Sequence, residues 1–87
     1  MSDAPLRHAD HWLSIIDGLL AQMIDQQERK LLELARHMVP GITPEDLRNP
    51  QDFPALVHDP SFNYEDGLLA GLRSAHIAVR AELKRER

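Results

Sequence analysis

The chain has 87 residues, no cysteine, and 14 acidic against 10 basic residues for a formal net charge of −4. One domain of this size gains only roughly 3 to 5 kcal/mol from its core, disulfides are excluded, and a reducing cytoplasmic setting is the expectation. An acidic chain repels phosphate backbones. No segment approaches the ~18 apolar residues of a membrane span, and Met1-Ser2-Asp3-Ala4-Pro5 lacks the basic-then-apolar pattern of a secretion signal.

A first long helix is predicted over about residues 10–39. Asp10 is a candidate cap, and Leu13, Ile16, Leu20, Met23, Leu31, Leu34 and Met38 recur at helical spacing from Trp12 onward. Pro40-Gly41 stops it, because proline disfavours a helical residue before it and glycine accepts the left-handed geometry of a helix end.

The connection, residues 40–63, holds Pro40, Pro44, Pro50, Pro54 and Pro60, five of the six prolines. Thr43-Pro44-Glu45-Asp46-Leu47 has the form of a cap, a first-turn proline and first-turn acids, hence a short helix. Asn49-Pro50 marks a turn, and a second short turn is expected through Phe53 to Val57, bounded by Asp59-Pro60. Structureless loops of this length are uncommon in compact domains, so Leu47, Phe53, Leu56, Val57 and Phe62 are expected to pin the connection onto the helices. A second long helix is predicted over about 64–86, with Asn63 as its cap, acids in its first turn, and a stripe of Leu68, Leu69, Leu72, Ala75, Val79 and Leu83. The fold class is all-α: one domain over 1–87, a helical hairpin of two long amphipathic helices, expected to dimerise into a four-helix bundle.

The faces of the helices carry the functional argument. Apolar residues between 12 and 24 cover about half the circumference of the first helix, more than one neighbouring helix can bury. Trp12, Ile15 and Leu19 lie at one edge and Leu13, Leu20 and Ile24 at the other, whereas Ser14, Gln22, Asp25, Arg29 and Arg36 form a solvated face. Either the connection covers the extra width or a second molecule does, and the expectation is a second molecule. On the second helix Gly67, Gly71, Ser74, Ala78 and Ala81 gather beside the leucines. Glycine inside a helix costs about 1 kcal/mol relative to alanine. Gly67 and Gly71 therefore either let another backbone approach or make room for Phe53 or Phe62.

Gln27 and His76 fall at polar positions within apolar stripes and are expected to hydrogen-bond across the bundle, fixing helix register. The competing reading makes His76, with His8 and His11, metal ligands in a metal- or cofactor-binding bundle, Asp3 and Asp10 adding oxygen ligands. Glu-x-x-His repeats are missing from the sequence, however. His37 suits a helix C-terminus and His58 has no defined role. Arg80, Lys84, Arg85 and Arg87 match the negative end of a helix dipole better than a nucleic-acid tail, since no aromatics are interleaved. Ser14, Ser61 and Ser74 lack a nucleophile-elbow context, the glycines form no phosphate loop, and Asp52 and Asp59 lie in an acidic, solvated segment.

The sequence therefore predicts a noncatalytic interaction protein, an accessory or assembly subunit and homodimer that binds a larger protein partner. No enzyme activity, cofactor, metal, nucleic acid or membrane is expected. Its interaction surface is placed at Trp12, Ile15, Leu19, Ile24, Gly67, Gly71 and Ala78.

Overall fold

A computed structural model describes the backbone of residues 4–86 and the side chains of residues 10–85. It contains α1 (Ala4–Met38), α2 (Pro54–Val57) and α3 (Pro60–Glu86), with 3-10 turns at Asp46–Arg48 and Pro50–Asp52, and no strand among the described residues. The long helices α1 and α3 pack antiparallel as a hairpin, a rod of 58 × 20 × 17 Å. No described helix is long and apolar enough to cross a membrane.

Both long helices begin earlier than the sequence patterns suggest. Residues 4–9 include alanine, leucine and arginine, all good helix formers, so Asp10 lies inside α1 rather than capping it. At α3 the cap is Asp59, not Asn63: Asp59 Oδ2 accepts from the Phe62 N–H at 2.8 Å. Pro60 follows in the first helical position, where its missing N–H has no partner to lose. Asn63 is already helical, and its Nδ2 donates back to the Val57 carbonyl at 2.9 Å.

α1 ends as its sequence indicates. Gly41 takes a φ of +86°, the Val39 N–H donates to Ala35 O at 2.8 Å, and the Ile42 N–H donates to Val39 O at 3.1 Å. The returning chain is held by the Arg36 Nε, which donates to Ile42 O at 3.2 Å, so Arg36 is more than a solvated residue. Thr43 and Asp46 cap one another reciprocally, Thr43 N–H to Asp46 Oδ2 at 3.0 Å and Asp46 N–H to Thr43 Oγ1 at 3.2 Å. The helix they open is one 3-10 turn.

The buried core is Leu31, Ala35, Ile42, Leu56, Phe62 and Leu69, with Ile24, Leu32, Leu34, Met38, Val39, Leu47 and Phe53 packed around it. Leu56 and Phe62 pin the connection as expected and Leu47 and Phe53 assist, but Val57 faces outward, because four residues of α2 can turn only one side to the core. Ile42, unforeseen, takes a fully buried place just past the end of α1. All six core residues lie at the connection end of the rod. Residues 10–30 of α1 and 70–85 of α3, the distal half, contribute no fully buried side chain.

Candidate interaction surface

Two polar pairs bridge α1 and α3 across the seam. Gln27 Nε2 donates to the Glu65 carbonyl at 2.9 Å and to Glu65 Oε1 at 2.8 Å. This bond, with Lys30 Nζ 3.3 Å from Oε2, holds the Glu65 carboxyl below its ordinary range. Nearer the distal end, His76 Nε2 lies 2.8 Å from Asp17 Oδ1. Both atoms are sealed from solvent, and the contact is a close polar approach outside hydrogen-bond geometry, since neither atom has a hydrogen-bond partner among the described residues. Gln27 and His76 thus sit in the seam, as their phase indicates. Their partners were legible in part: Asp17 falls on the same stripe as Leu13, Leu20 and Ile24, and a charge in a seam needs a partner.

The ion pairs also mark the two flanks of the hairpin. Lys30 meets Glu65 along one flank, and Arg73 meets Glu28 along the other. At ~100° per residue, Trp12, Ile16, Leu19 and Met23 project within about 40° of Lys30, whereas Leu68, Leu72, Ala75 and Val79 lie on the Glu65 side of α3. Trp12, Ile16, Leu19 and Met23 of α1 and Leu68 of α3 therefore share one flank, whereas Ile77, 70% exposed, lies on the Arg73 side. Between residues 11 and 26 of α1 and between 67 and 81 of α3, the positions of the shared flank carry no charged side chain.

These side chains are open. Trp12 is 56% exposed, Leu19 54% and Met23 48%, while Ile15, Ile16 and Leu68 are each about two-fifths exposed. Such a contiguous patch is unusual on an isolated domain. The connection does not supply the missing cover, since it packs at the opposite end of the rod. Ile24, expected at this surface, instead packs against the core, and Leu13 and Leu20 are half-buried.

Gly71 and Ala78 are exposed at the outer edge of the same flank, and Gly67 is exposed on the outward side of α3. A Cβ at Gly67 or Gly71 would meet nothing within 4 Å, so neither glycine makes room for Phe53, Phe62 or any other described side chain.

The opposite flank is charged. Asp25 pairs with Arg29 at 3.2 Å, Glu28 with Arg73, and a cleft of about 350 Å³ opens between them above Leu31 and Leu69. Arg48 and Asp66 also line it. Mixed charge of this kind suits solvent or a polar partner.

The histidines are dispersed. The His8 side chain lies outside the described residues, His11 is exposed with its ring edge-on to Trp12 at 5.8 Å, and His58 is exposed in the connection. His37 Nδ1 lies 2.8 Å from the Glu33 carbonyl at the end of α1. Among the described residues no group of three or more His, Asp or Glu is placed to hold a metal ion. No protein-family model, curated protein or solved structure matches the chain.

Proposed function

We propose that the chain is a noncatalytic protein-interaction module, an accessory or assembly subunit that works as a homodimeric helical bundle. The observation that carries this reading is the charge-free apolar flank on the distal half of the rod, where no described side chain is fully buried within the chain. Completing the burial of Trp12, Ile15, Ile16, Leu19, Met23 and Leu68 is worth about 1 kcal/mol each. Two copies together gain ~12 kcal/mol, of the order of the roughly 4 to 15 kcal/mol that association costs. A second copy also supplies two more antiparallel helices, the complement of a four-helix bundle. The charged flank would then face outward, available to a larger protein partner.

Light scattering across micromolar concentrations tests the reading. The expected mass is twice the 9.9 kDa of the chain, with Leu19→Asp returning the monomer. Gly71→Leu is expected to weaken assembly, because a bulky side chain would stand where the second copy approaches. A folded protein that stays monomeric throughout would overturn the proposal.

A further inference from the structure

We infer that the two copies pair with α1 of each lying against α3 of the other, their two-fold axis parallel to the rods, an arrangement that rests on the homodimer reading above. Two hairpins can place these flanks together with the axis along the rods or across them. Along the rods, each residue meets partner residues at its own height. Across them, the copies point in opposite directions, α1 on the partner's α1 and α3 on the partner's α3.

Three features of the flank select the first. The earliest is polarity along the rod: the apolar stretch occupies the distal half, and Lys30 and Glu65 follow nearer the connection. Full overlap of oppositely directed copies would set Trp12 and Ile16 against polar positions such as Gln26 and Lys30. Sliding the copies to match only their apolar ends halves the contact. Copies pointing the same way match the apolar half of one to the apolar half of the other and bring Lys30 level with the partner's Glu65.

Area is the second. The 27 residues of α3 span ~40 Å and the rod is 20 Å wide, so full overlap covers about 800 Å² on each copy. A stable interface buries about that area per partner, and the end-only overlap covers about half of it.

Size is the third. On this flank α1 exposes Trp12, Ile16, Leu19 and Met23, all large, and at the same heights α3 exposes the small Gly71, Ala75 and Ala78 beside a single large side chain, Leu68, at the inner end. Large against small keeps four helices evenly spaced and interdigitated, whereas α1 on α1 would set large against large and push that pair apart. The open space over Gly71 is then the seat of a partner side chain from α1.

Because the chain has no cysteine, disulfide trapping is clean. Ile16 and Ala75 are exposed, near one height on the flank, and Ala70 is exposed on the charged flank as a collision control. Ile16→Cys and Ala75→Cys chains, one of them tagged, are refolded together and oxidised at low micromolar concentration. The expected result is a cross-linked species containing one of each, with no cross-link from either variant alone or from Ala70→Cys. Self-linked Ile16→Cys and Ala75→Cys species, or no cross-link in a protein that scatters as a dimer, would overturn the pairing while leaving the homodimer standing. A monomeric mass would overturn both.

Discussion

His76 and Asp17 face one another in the seam with their contacting atoms closed to water. Removing one partner strands the other, which costs about 1 to 3 kcal/mol, whereas replacing both with apolar groups can be nearly neutral. His76→Leu and Asp17→Leu are therefore each expected to lower stability in urea by about 1 to 3 kcal/mol, and the double variant to lose less than the sum. Gln27 acts on Glu65 differently. The folded carboxyl titrates below its ordinary 4.5, so its stabilising contribution is complete above that pH and is lost as pH falls through the folded value. Gln27→Leu removes the largest cause of that shift, and carboxyl NMR titration should show the Glu65 pKa rise and the acid loss of stability flatten. Both seam positions were legible from phase alone, because a polar residue on an apolar stripe stands out at 3.6 periodicity. Glu65 as the partner of Gln27 was not, since the match depends on register between helices.

Among the elements, the connection departs most from its sequence pattern. Pinning was foreseeable from its prolines and apolar residues, yet α2 is four residues long and a single turn has no readable phase. Leu56 and Val57 are adjacent and similar in type, but Leu56 is fully buried and Val57 is exposed. Leu56→Ala is accordingly expected to cost about 2 to 5 kcal/mol and Val57→Ala under about 0.5 kcal/mol in chemical denaturation. The start of α3 was readable in a way the competing signal obscured. Asp59-Pro60 and Asn63 with its acids both satisfy the rules for a helix start, and the upstream pair wins because proline presets the first turn and Phe62 gains the core by being inside the helix.

At the scale of the whole molecule, the hairpin follows from two strongly periodic segments with a stop between them. The excess apolar width of α1 was also legible, since a wheel drawn on one helix shows it. That the surplus of α1 and the exposed stripe of α3 open onto the same flank was not legible. Each wheel has its own arbitrary origin, and only cross-helix pairs such as Lys30 with Glu65 and Glu28 with Arg73 fix one against the other.

Gathering the fully buried residues among those described at the connection end also has a consequence for local opening. Opening free energy tracks local apolar burial, so the far ends of α1 and α3 can part without disturbing Leu31, Leu56 or Phe62. Amide hydrogen exchange on dilute chains should show protection falling steadily from Phe62 toward Leu83 and from Leu31 toward Leu13. On the proposed pairing, raising the concentration should slow exchange at the far ends by at least tenfold, about 1.4 kcal/mol, while amides around the core change little. The rod would then be a clamp hinged at its core, with jaws held shut by its own kind.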